Sequence, residues 1–185
     1  MSKYILFILS VVALACGGPK GIIISDDDKA TFEKNYKAFE KYHIGGIVSG
    51  DIDLFLDLYA DSLKWSGPNV YDGSYQTKDD LAVAAKGYLE MFEDFSFQSG
   101  GVNPVNDGGY WGGNLYADNG EINTDPNGIR IYGVWNATHS ESGAPVKLKF
   151  YAIQQFNEAG KVVLLNEWFD PSSMESQIQA YLENN

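Results

Sequence analysis

One cysteine, two histidines and only 13 cationic side chains against 25 acidic ones limit the chemistry open to these 185 residues. A lone Cys16 cannot close an internal disulfide, so packing must hold the fold together. No group of His, Cys and acidic residues has zinc spacing, which argues against a metal centre. No glycine-rich segment follows the strand-to-helix pattern that cradles phosphate, and no serine stands in a nucleophile elbow. Nucleotide and acyl-enzyme chemistry are therefore not expected, and no cofactor is implied. A formal charge of -12 disfavours nucleic acid and anionic lipid surfaces as partners. The apolar run over residues 4–15 is too short to span a bilayer as a helix.

That run has a different use. Lys3, a short apolar core and then small residues fit a secretory signal over residues 1–15. Ala13-Leu14-Ala15-Cys16-Gly17 resembles a bacterial lipobox, with Ala13 where that pattern usually has leucine. The resemblance implies acylation of Cys16 and a lipid anchor in the bacterial cell envelope, the only contact with a membrane that the sequence suggests. Ala13 and Ala15 also satisfy an ordinary signal-peptidase site, which would give a secreted soluble protein. Residues 16–30 read as the anchored cysteine and a flexible linker, because Gly17, Gly18, Pro19 and Gly21 have tether composition. Residues 31–185 suit one domain with one core.

Within that domain the helices come first. Ser25 to Asp28 supply capping residues, and a helix starting near Asp28 carries Phe32, Tyr36, Phe39, His43 and Ile47 along one face. Asp51 caps a short second helix with Leu54, Phe55 and Leu58 inward. A short strand over residues 63–66 and a turn at Gly67-Pro68 follow. Thr77 with Asp80 opens a third helix that runs to about Phe92.

The period then changes to two. Ile131, Gly133 and Trp135 share one strand face, and Arg130 and Tyr132 the other. Val146, Leu148, Phe150, Ala152 and Gln154 alternate in the next strand, residues 161–169 form a third, and Met174, Ile178 and Leu182 mark a terminal helix. The glycine-rich residues 99–128 contain part of a strand near 110–117. The turn Asn123-Thr124-Asp125-Pro126-Asn127-Gly128 begins like a calcium loop but has Val134 where a bidentate glutamate is needed, so it reads as a turn.

Helices followed by an antiparallel meander make an α+β plan. Gly50-Asp51, Tyr59-Ala60-Asp61, Trp65 with Gly67-Pro68, Gly73, Ala159-Gly160-Lys161-Val162 and Glu167-Trp168-Phe169-Asp170 resemble, in order and spacing, SnoaL-like proteins of the nuclear transport factor 2-like (NTF2-like) superfamily. The resemblance covers residues 31–182. It implies a cone-shaped fold with N-terminal helices packed on a curved antiparallel sheet, and an apolar pocket for a small hydrophobic or aromatic molecule. It also implies polyketide cyclase-like or isomerase-like acid-base chemistry, or a non-catalytic binding module, and a homodimer through the outer sheet face.

Three residues are candidates for that chemistry. The resemblance places an acid-base carboxylate at Asp170, although Asp170 before Pro171 is also what a helix N-cap looks like. Glu167, three residues earlier, falls on the opposite strand face. It reads either as a pocket group or as a strand-edge carboxylate. His43 lies on the pocket side of the first helix, as a ligand contact or as a hydrogen-bonded core histidine. Tyr36, Trp65, Tyr132, Trp135 and Trp168 are candidate ligand walls, against the alternative that they are core. Two departures stand out. Gly67 occupies the position where ketosteroid isomerases carry their catalytic aspartate, and residues 146–156 lack the histidine of SnoaL-type cyclases.

Overall fold

The computed structural model describes residues 24–100, 109–115 and 122–185, so Cys16 and the leader lie outside the described residues. Ser25 caps helix α1 (Asp26–Ala38) through a capping box with Asp28, so the helix begins inside the stretch read as linker. The helix continues through a π-helical segment (Phe39–Ile44) into α2 (Gly45–Ser49) and ends at Gly50, whose φ is 70°. Asp51 caps α3 (Ile52–Leu56). Strand β1 (Tyr59–Ser66) and helix α4 (Lys78–Met91), capped by Thr77, come next. Strands β2 (Phe92–Ser99), β3 (Gly109–Leu115), β4 (Ile122–His139), β5 (Pro145–Phe156) and β6 (Val162–Trp168) precede α5 (Pro171–Asn184).

The strands form one curved sheet in the order β1-β6-β5-β4-β2, with β3 also paired to β4. All pairs are antiparallel except β1 with β6, a parallel pairing that the sequence reading did not anticipate. The 18-residue β4 carries both neighbours on one side, β3 against its first half and β2 against its second. β5 alternates as its sequence indicates. Val146, Leu148, Phe150, Ala152, Gln154 and Phe156 are buried against the helices.

Strand β2 is the element that the sequence reading missed. Asp94 has φ 55°, and the register with β4 slips between Glu93 and Ser96. The bulge breaks the period-two pattern, so Phe92, Phe95 and Phe97 do not read as one strand face. Two close approaches need glycine. A Cβ on Gly46 would lie 2.6 Å from Phe55 where α3 crosses α2, and one on Gly133 would lie 2.1 Å from the Phe97 ring.

Candidate functional site

The concave face of the sheet and the helices do not close completely on each other. Between them lies a cavity of about 330 Å³, bounded by the π-helical segment, α3, α4, β1, β2, β4, β5, β6 and residues 67–70. Its walls are mainly apolar, with Phe55, Leu81, Phe92, Trp135, Leu148 and Phe150 among them, and it includes the exposed Asn69 at its edge. A cavity of this size and character suits a small hydrophobic molecule.

Glu167 supplies the carboxylate of this cavity. β6 alternates, so Leu165 and Glu167 face inward while Trp168 faces out. The Trp65 indole Nε1 donates to Glu167 Oε2 at 2.8 Å, and Oε1 has no protein partner among the described residues. Burial raises the Glu167 pKa from 4.5 to about 7, opposed in part by the Trp65 hydrogen bond. Near neutral pH the group can therefore both give and take a proton. Gly67 permits this arrangement, because a Cβ there would meet Trp65 Cζ2 at 2.8 Å. An aspartate at this position, as in ketosteroid isomerases, would displace the indole that holds Glu167.

His43 faces the same cavity. The π-helical segment places it among Phe39, Phe55, Trp135 and Phe150, with ring centroids 4.9 to 6.1 Å away. Its Nδ1 lies 2.5 Å from the Tyr59 hydroxyl. Burial lowers its pKa to about 3, so the imidazole is neutral at physiological pH. Tyr59 is 1 % exposed, and burial with the nearby Glu167 pushes its phenol well above the ordinary value. Tyr88 lines the cavity from α4 and is raised for the same two reasons.

Several sequence candidates fall elsewhere. Asp170 is exposed at the N-cap of α5, where Oδ1 accepts from the Ser172 backbone N–H at 3.0 Å and from its hydroxyl at 2.6 Å. Those bonds lower its pKa, so Asp170 is a helix cap and not a cavity acid. The reason is the strand register. Glu167 and Phe169 line the cavity and Asp170 follows the end of β6. Tyr132 and Trp168, 40 % and 51 % exposed, lie on the outer sheet face, where Tyr151 stacks between them with centroids 4.6 and 5.2 Å away. Tyr36 is not in the cavity wall either. It packs on Phe32 and Phe39, with its hydroxyl 3.4 Å from Ser99 Oγ. Trp65 and Trp135 do line the cavity. Residues 123–128, read as a turn, lie instead within β4, where Asp125 accepts from the Asn127 backbone N–H and from the Gln155 amide on β5.

Tyr59 and Tyr88 are not among the site candidates that the sequence offers. Tyr59 was legible as part of a motif, but nothing local pairs it with a histidine 16 residues earlier.

The sequence matches no protein-family profile and no curated protein. Solved structures resemble it in fold. IdmH of Streptomyces antibioticus, described as a candidate polyketide cyclase, superposes with TM-score 0.56 at 14 % identity over 78 % of this chain and 98 % of its own. An epoxide hydrolase of the LEH-like type from Mycobacterium tuberculosis gives 0.54 at 13 % identity over 81 % and 92 %. An NTF2-like protein from Burkholderia xenovorans gives 0.51 at 13 % identity over 79 % and 96 %. With its N-terminal helices packed on a curved sheet, the chain has the NTF2-like fold.

Proposed function

We propose that this chain is a SnoaL-like protein that takes a small hydrophobic or aromatic molecule into its cavity and performs cofactor-free acid-base chemistry on it through Glu167. One observation carries this reading. Glu167 is a buried carboxylate in a mainly apolar cavity, held by Trp65 with Oε1 unpartnered among the described residues and a pKa of about 7. A buried acid is costly to retain unless it is used, and a proton affinity near the working pH suits proton transfer. The folds of a cyclase candidate and an epoxide hydrolase are compatible with such use and do not choose the reaction.

Two measurements test it. The neutral fluorophore N-phenyl-1-naphthylamine is expected to bind the wild-type protein and to lose at least tenfold in affinity in Ala84→Phe, which fills the cavity from α4. Deuterium exchange into 2-tetralone, a ketone with acidic C–H bonds, is expected to fall about 100-fold or more in Glu167→Gln. Binding with exchange indifferent to Glu167 would leave the non-catalytic binding module, which the glycine at 67 favours.

The anchor belongs to the same proposal. The Ala13–Cys16 pattern supports acylation of Cys16 and placement in the bacterial cell envelope. A Cys16→Ser variant still found in the membrane fraction would end that part. Homodimerisation is a further proposal, supported by the outer-face ladder in which half-buried Tyr151 stacks between the exposed Tyr132 and Trp168. Sedimentation of a monomer at micromolar concentration would dismiss it.

A further inference from the structure

The proposed function accounts for Glu167 but leaves His43 and Tyr59 without a role. The Tyr59 phenol keeps its proton, and among the described residues that hydroxyl has one hydrogen-bond partner, His43 Nδ1. A buried hydroxyl hydrogen without an acceptor is costly, so the phenol donates and Nδ1 accepts. The neutral imidazole then carries its own proton on Nε2. Nε2 has no protein partner among the described residues, nor is it one of the completely enclosed unpartnered atoms, and His43 lines the cavity. The opposite tautomer would leave the phenol hydrogen unused and turn a bare lone pair toward apolar walls.

We infer that His43 Nε2–H is a hydrogen-bond donor to the ligand, fixed in that tautomer by Tyr59, and that the cavity selects neutral apolar compounds bearing a carbonyl-type oxygen. The inference rests on the cavity being a ligand site and adds the ligand's class. Glu167, Tyr88 and Tyr59 are the titratable groups around this donor, and Glu167 acts electrostatically on both tyrosines. The donor and the acid thus share one ligand, with oxygen bound at His43 and Glu167 within reach of the same chamber. His43 needs no charge for this. Its neutrality avoids burying a cation beside aromatic rings.

Long-range proton–nitrogen NMR correlations of the wild-type imidazole test the tautomer without any variant. A proton on Nε2 at pH 6 to 8 is expected, and a proton on Nδ1 would overturn the inference. Selectivity is tested with 1-tetralone and tetralin, which share the same bicyclic skeleton and differ at one carbonyl oxygen. The ketone-to-hydrocarbon affinity ratio is expected to fall about fivefold to tenfold in His43→Phe, from loss of one neutral hydrogen bond. Tyr59→Phe, which frees Nδ1, is expected to mix the tautomers and lower the ratio by a smaller factor. An unchanged ratio with both probes still bound would remove the donor and leave the binding site standing. Binding of neither probe would remove the site and the donor together.

Discussion

Burial moves the two ionisable groups of the cavity in opposite directions, and a pH series can separate them. Glu167 rises from 4.5 to about 7 and His43 falls from 6.5 to about 3. Between pH 4.5 and 6.5, folding therefore takes up a proton at Glu167 and releases one from His43. The Glu167 contribution is fully present below pH 4.5 and is lost as pH rises through 7. The His43 contribution is fully present above pH 6.5 and is lost as pH falls towards 3. Each group alone would tilt the unfolding free energy by roughly 2 kcal/mol across the two-unit window, a little under the full slope because each unfolded group is half titrated at one edge of it. In the wild-type protein the two slopes cancel. Glu167→Gln keeps an acceptor for Trp65 but removes the titration, so its stability is expected to rise by roughly 2 kcal/mol from pH 4.5 to 6.5. His43→Phe is expected to fall by a similar amount over the same range. Urea denaturation at half-unit pH steps reads this directly, provided the m-value stays constant. The exposed Asp72, Asp80 and Asp170 are shifted downward, so their titrations lie below this window and are shared by all three proteins. A Glu167→Gln curve parallel to wild type would refute a raised Glu167 pKa, and a His43→Phe curve parallel to wild type would refute a neutral His43.

Three further outcomes follow from packing and capping. Gln154 is fully buried, with neither amide atom hydrogen-bonded among the described residues, so Gln154→Met is expected to stabilise the fold by about 1 to 3 kcal/mol in a urea titration. Gly46→Ala forces a Cβ to within 2.6 Å of Phe55 and is expected to cost about 1 to 3 kcal/mol, read as a lower thermal midpoint. Asp170→Ala is expected to lose about 1 kcal/mol as a helix cap while N-phenyl-1-naphthylamine affinity is unchanged, and Asp170→Asn to restore the cap.

Where local chemistry decides, the sequence was a good guide. The caps at Asp51 and Thr77, the alternation of Val146 to Gln154 and the helical spacing of Phe32 to Ile47 each follow from short-range rules, and the structure carries them. Strand β2 was hidden because a bulge at Asp94 breaks its period, and the parallel β1–β6 pairing joins strands about 100 residues apart. At the site the limits are those of register. Moving from Glu167 to Asp170 changes the face, and sequence spacing alone did not say which of the two enters the cavity. Tyr132 and Trp168 were misplaced for the same reason, since a strand shows its period but not which side is the inside. The Trp65 to Glu167 bond spans 102 residues and has no local signature.

The most direct test of the account is the titration of the Glu167 side-chain carboxyl carbon by NMR, assigned by comparison with Glu167→Gln. A midpoint near 7 is predicted for the free protein, rising further when tetralin fills the cavity and excludes water from Oε1. A midpoint near 4.5, indifferent to tetralin, would show an ordinary solvated carboxylate and contradict acid-base chemistry at this site.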